Sequence, residues 1–182
     1  MPLQITIPKQ EYFNNDTQEF YTFPETKISI EHSLISISRW EAKYHKPFLE
    51  KTTEKSPEEI VDYIKFMSIS KPITDEMIML MTKKDFEAIQ EYIANPSTAT
   101  TFPNDDNDKR NTTGEYVSSE LIYYWMTAYQ IPFECEKWHI NRLLTLVKIC
   151  NRKNQPAKKM KGNELRNKYI ATNKARRAKM RK

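Results

Sequence analysis

Leu3-Gln4-Ile5-Thr6-Ile7 and Lys27-Ile28-Ser29-Ile30-Glu31 alternate apolar and polar side chains with the period of two that turns one face of a strand inward, and Phe20-Tyr21-Thr22-Phe23 lies between them. Asn14-Asn15-Asp16 supplies a turn. Pro8 and Pro24 bracket these runs, and proline cannot donate to a ladder, so the pattern predicts a small two- or three-stranded antiparallel sheet with exposed edges.

From Ser33 the spacing becomes helical. Leu34, Ile37, Trp40 and Tyr44 recur on one face until Pro47. Ser56-Pro57-Glu58-Glu59 starts the next helix with a cap, a proline suited to the first turn and a glutamate able to close a capping box, and Ile60, Ile64 and Met67 form its expected buried stripe. Two shorter helices follow, Thr74 to Leu80 and Thr82 to Ala94, the second with Phe86, Ile89 and Ile93 inside and stopped by Asn95-Pro96. Residues 95–115 lack apolar periodicity and read as a long surface loop. Leu121 to Tyr129 is the densest apolar stretch and reads as a central helix, with Leu121, Ile122, Trp125, Met126 and Tyr129 on one face. After Ile131-Pro132-Phe133, a core helix is expected from Cys135 to about Cys150, with Trp138, Leu143, Leu144 and Val147 inward. Pro156 then separates a last helix, roughly Asn163 to Lys179. Trp40, Trp125 and Trp138 are assigned to the core.

Composition supports a packed core. Of 182 residues 38% are hydrophobic and 29% charged, and 10 Tyr, 8 Phe and 3 Trp supply rings that bury roughly 150–250 Å² each. No apolar run approaches the ~20 residues that span a bilayer. Cys135 and Cys150 would stand about four turns apart on one helix, too far for a bridge. With no signal peptide visible, this predicts a reducing, cytoplasmic setting.

Charge changes the picture more. The formal net charge is +5, yet Lys148 to Lys182 holds 14 of the 29 Lys and Arg residues against one acid, Glu164. Met1 to Val147 therefore keeps 15 basic and 23 acidic residues. An acidic body carrying a basic arm can engage phosphates or an acidic protein surface, including the body of a second copy, so self-association is among the expectations. Its cations include Lys158, Lys159, Lys161, Arg166, Lys168, Lys174, Arg176, Arg177 and Lys179. Tyr169 is the arm's single aromatic, so stacking on bases is poorly served and nucleic acid is the less favoured partner.

Catalytic signatures are thin. Cys135 and His139 would share a helix face as half of a metal site, but no second pair accompanies them. Neither a Gly-x-Ser-x-Gly element nor a glycine-rich phosphate loop occurs, with only Gly114 and Gly162 in the chain. Asp105-Asp106-Asn107-Asp108 lacks the glycine and closing glutamate of a calcium loop. No catalytic, metal or cofactor residue is assigned, and a binding protein rather than an enzyme is expected.

Glu31-His32-Ser33-Leu34-Ile35-Ser36-Ile37-Ser38-Arg39-Trp40-Glu41, Glu120-Leu121-Ile122-Tyr123-Tyr124-Trp125-Met126 and the run from Ile131-Pro132-Phe133-Glu134-Cys135 through Leu146 to Pro156-Ala157-Lys158-Lys159-Met160 resemble a small protein of tailed bacteriophages, the tail assembly chaperone encoded beside the tape measure protein. The resemblance covers nearly the whole chain, least at residues 95–115. It implies a protein that coats the tape measure helix until tail-tube subunits replace it, in the cytoplasm of the infected host and absent from the mature virion. An apolar groove with adaptable methionines would suit such a helix, and Met77, Met79 and Met81 are candidates, on the expectation that at least one is exposed.

The predicted fold class is α+β and predominantly helical: a small N-terminal antiparallel sheet, a helical bundle and a protruding basic C-terminal helix. Residues 1–155 form one domain, β-rich over 1–32 and helical over 33–155, and 156–182 form the basic tail. The expected function is tape measure chaperoning, with tail-tube protein as a second partner. The alternatives are a nucleic-acid binder using the tail and an enzyme with an unrecognised concave site.

Overall fold

The computed structural model describes residues 2–14, 18–50, 52–102, 116–154, 166, 169–174 and 176–177. Strands β1 (Leu3–Ile7) and β4 (Thr26–Ile30) pair antiparallel, as do β2 (Gln10–Asn14) and β3 (Glu19–Phe23). Partner numbers add to 33 in both ladders, from Leu3 opposite Ile30 to Asn14 opposite Glu19. The two sheets are thus one long hairpin in a single register. The ladder breaks where Pro8 faces Glu25 and Lys9 faces Pro24, because each proline removes a backbone donor. The expected small antiparallel sheet is present as two-stranded ladders, and strand structure extends to Gln10–Asn14, where no alternation signals it.

The halves of the hairpin have different surroundings. Ile5, Ile7, Ile28 and Ile30 are buried, β1 packs against α4 (Lys83–Ala94), and Met67 to Ile69 lies along β4 with Glu31 N–H donating to Met67 O at 2.9 Å and Ile69 N–H to Ser29 O at 2.9 Å. Phe13, Phe20 and Tyr21 of the outer half are exposed.

Helix α1 (Leu34–Tyr44) is the hub, packing against α2 (Pro57–Phe66), α5 (Ser119–Ala128) and a 3-10 helix (Phe133–Lys137). Its Leu34, Ile37 and Trp40 are fully buried, and the Trp40 indole donates to Glu59 O at 2.9 Å, so the ring is enclosed without an orphaned donor. Ser33 caps it, and His45 in the left-handed region, φ 55°, ends it before Pro47 is reached. The capping box at Ser56 and Glu59 forms with Pro57 in the first turn. In α2, however, Ile60 is 48% exposed, while Tyr63 joins Ile64 and Met67 inside. Helix α3 (Asp75–Leu80) is capped by Thr74. Of α4's expected core side chains only Ile89 is buried; Phe86 and Ile93 are half-buried.

Two further expectations are corrected. Helix α5 buries only Ile122, Met126 and Ser119, with Trp125 half-buried and Tyr124 exposed, because it has a packing partner on one side. The helix expected from Cys135 to Cys150 is broken: the 3-10 helix ends at Lys137, Trp138 is extended, His139 bridges to Ser33, and α6 (Ile140–Asn154) starts with Ile140 N–H donating to His32 O at 2.7 Å. That bond draws the chain to the end of β4. Trp138 is half-buried rather than in the core, with the Arg142 guanidinium 4.2 Å from its ring centroid. Cys135 and His139 consequently share no helix face, and both cysteines are free.

The fold class is α+β and mainly helical. The chain divides into two units, Met1–Lys148 and Ile149–Lys182. In the second, residue 166, residues 169–174 and residues 176–177 are helical. Residues 95–102 are irregular; the rest of the expected loop and the expected stop at Pro156 lie outside the described residues.

Candidate functional site

A buried polar cluster sits where β4 passes into α1. His32 Nδ1 is hydrogen-bonded to the Tyr63 hydroxyl, Ser36 Oγ lies 3.4 Å from that hydroxyl, and the His32 and His139 rings meet edge to face at 5.1 Å. His139 Nε2 stands 3.0 Å from Tyr92 O, its Nδ1 accepts from Asn141 N–H at 3.3 Å, and the Tyr92 hydroxyl donates to Glu31 Oε1 at 2.5 Å. Burial, reinforced by His139, pushes the His32 imidazole down to about 3, so the ring is neutral at ordinary pH. Burial likewise pushes the Tyr63 and Tyr92 phenols well above the usual range. His32, Tyr63 and His139 are all buried, so a solute reaches them only if the fold opens. What these groups do is join β4, α1, α2, α4 and the start of α6 through satisfied polar contacts.

Surface concavities are open and charged. In one, the Asp62 carboxylate takes bonds from Lys43 and, at 2.6 Å, from the Tyr44 hydroxyl; the Lys43 bond is the main cause holding Asp62 below the usual carboxylate range. A second runs beside Glu41, His45 and Lys46, and a third is lined by Arg39, Lys65, Ser68, Ile69 and Lys71. Among the described residues, no group of three or more His, Cys, Asp or Glu side chains is placed to hold a metal ion.

The predicted partner-binding residues fall into three groups. Met79 is 82% exposed and Met77 half-buried, but Met81 is 7% exposed, because the chain turns extended there between α3 and α4 and points that side chain inward. Met81 therefore belongs to the core, a correction to its assignment as a contact residue. Arg166, Lys174, Arg176 and Arg177 are exposed, as are Tyr169 and Ile170 in the same helical region. Lys158, Lys159, Lys161, Lys168 and Lys179 lie outside the described residues.

Sequence reasoning does not single out the outer hairpin as a surface of interest. Phe13 and Phe20 face each other across the ladder with ring centroids 5.0 Å apart, and both are exposed. A signal for it exists in the chain: aromatics beyond two prolines, with no alternating partner run to cover them. Among the described residues no helix is long and apolar enough to cross a membrane. No protein-family model matches the chain, no curated protein matches it, and no solved structure matches its fold.

Proposed function

We propose that this protein is a non-enzymatic tail assembly chaperone of a tailed bacteriophage, holding the tape measure protein in the host cytoplasm, with tail-tube protein as a second partner and no place in the mature virion. The observation that carries the reading is the separation of charge combined with exposed apolar groups. The unit Ile149–Lys182 holds 13 of the 29 basic residues and one of the 24 acids. Within residues 169–174, Tyr169, Ile170 and Asn173 share one helical face, and Arg166 and Arg177 stand three residues before Tyr169 and four after Asn173. Such a face suits an acidic amphipathic helix: rings and aliphatics cover its apolar stripe while the arginines meet its carboxylates. Met79 adds an exposed, adaptable contact on the other unit.

Co-expression with a tape measure fragment tests this. The fragment is expected to be soluble with the full chain and insoluble alone, and the double substitution Tyr169→Ser, Ile170→Ser is expected to lower the soluble yield. Equal solubility without the protein would defeat the reading.

A second reading, nucleic-acid binding, is favoured by one observation: among the described residues Arg166, Lys174, Arg176 and Arg177 enter none of the ion pairs. It requires the logarithm of duplex affinity to fall with that of salt by about 0.9 per phosphate engaged. A flat salt response excludes it.

A further inference from the structure

The bend that follows α2 borders a concavity of about 290 Å³, lined by Arg39 of α1, Lys65 and Phe66 of α2, and Ile69, Ser70 and Lys71 of the bend itself. Hydrogen bonds to β4 fix its frame. Ile69 N–H donates to Ser29 O at 2.9 Å, Ser29 N–H donates to Ser70 Oγ at 3.4 Å, and the Ser68 hydroxyl donates to Lys71 O. Among the described residues Ser70 Oγ serves only as an acceptor, which leaves its own hydroxyl hydrogen for a ligand.

Charge sets this concavity apart from the acidic stretch around it, residues 1–147 holding 15 basic and 23 acidic residues. Lys65 is neutralised by Asp62 at 3.6 Å and Asp75 at 2.5 Å, all three lining the neighbouring concavity. Arg39 acts on Tyr123 through charge, and the Tyr123 hydroxyl donates to Glu136 at 2.9 Å. Neither Arg39 nor Lys71 enters an ion pair among the described residues, and no carboxylate lines the concavity. Two uncompensated cations match a phosphomonoester, which carries about −1.5 to −2 near neutral pH, better than a phosphodiester with its single charge. Ile69, 58% exposed, and the half-buried Phe66 offer an organic group an apolar contact. The volume stands at the lower end of the roughly 300–1,000 Å³ of small-molecule sites, so it suits a small ligand rather than a folded segment.

We propose that this concavity is a binding site for a small phosphomonoester, its phosphate held by Arg39, Lys71 and the Ser70 hydroxyl and its organic group laid against Ile69. The site goes beyond the chaperone reading. It belongs to the unit Met1–Lys148 and takes a small ligand rather than a helix, so either can fail without the other.

The test titrates the nitrogen-15-labelled full chain with phenyl phosphate near neutral pH and follows the amide resonances. Saturable movement of the amides of residues 68–71 is expected. Methyl phenyl phosphate, a singly charged diester that stands for a nucleic-acid backbone, should bind about tenfold more weakly, and inorganic phosphate, which lacks the ring, should also bind more weakly. Arg39→Gln and Lys71→Gln should each lower the affinity for phenyl phosphate about tenfold, the loss expected when a charge-assisted hydrogen bond is removed. Their melting temperatures should match that of the parent protein, since both side chains are exposed. The double substitution Arg176→Gln, Arg177→Gln in the basic tail should leave the movement at residues 68–71 unchanged. Movement confined to Ile149–Lys182, its loss from residues 68–71 in the tail variant, diester or inorganic phosphate bound as tightly as phenyl phosphate, or undiminished affinity in Arg39→Gln or Lys71→Gln would each overturn the proposal.

Discussion

Met79 and Met81 stand two residues apart and end in opposite environments, one 82% exposed and the other 7%. Helical phase alone would already set them about 200° apart; α3 stops at Leu80, and Met81 follows the extended backbone into the core. Met81→Ser is therefore expected to lower stability by about 2–4 kcal/mol, and Met79→Ser to change it by less than about 0.5 kcal/mol, as read from urea unfolding. His32 supports a pH prediction. Its folded pKa of about 3 lies below the ordinary 6.5, so above 6.5 it is neutral in both states and its stabilising contribution is complete. As pH falls below 6.5 the unfolded chain takes up a proton that the fold refuses, and stability drops by up to about 1.4 kcal/mol per pH unit toward pH 3. Charged and titratable neighbours Glu31, Tyr63, Tyr92 and His139 surround the site. His32→Gln, which cannot titrate, should have a lower stability at pH 7 and a shallower loss between pH 6.5 and 4.5 in thermal melts. Equal slopes for the two proteins would show that His32 is not the group responsible.

Among elements, those with local start signals are legible in the residue order alone. Ser33, Ser56, Thr74 and Thr82 each precede a helix, and three of the four form capping boxes. The start of α6 carries no such signal, since the tie from Ile140 to the carbonyl of His32 spans more than a hundred residues. Glu41 is another contact of this kind. It is buried at the end of α1, accepting from Phe48 N–H at 2.8 Å through Oε1 and from Ser119 N–H at 2.7 Å through Oε2. One carboxylate thus fixes the turn after α1 and the first turn of α5. Glu41→Ala is expected to cost about 3 kcal/mol in urea unfolding, because two amide donors lose a charged acceptor, and Glu41→Gln less, because its amide oxygen keeps an acceptor.

At the scale of the whole molecule, the polarity of charge and the α+β, mainly helical class follow from the order of residues. Counting cations along a chain needs no coordinates, and periods of two and 3.6 report strand and helix wherever one face is buried. Which faces are buried is not legible to the same degree: Ile60, Trp125 and Trp138 carry the composition of core residues and lie partly or largely open. Hydrophobicity states what a side chain gains by burial, whereas a neighbouring element must exist to bury it. The candidate surfaces divide in the same way. The basic residues of the tail are evident from composition, while the exposure of Phe13 and Phe20 is not, since it depends on what the fold places beside them.

Local grammar, then, is written in the chain itself: caps, prolines, alternation and the gathering of positive charge near one end act over a few residues and need no partner to be read. Long-range closure decides the rest. The broken helix at His139 and the burial of Met81 depend on contacts between segments far apart in sequence, whose energies no short window contains.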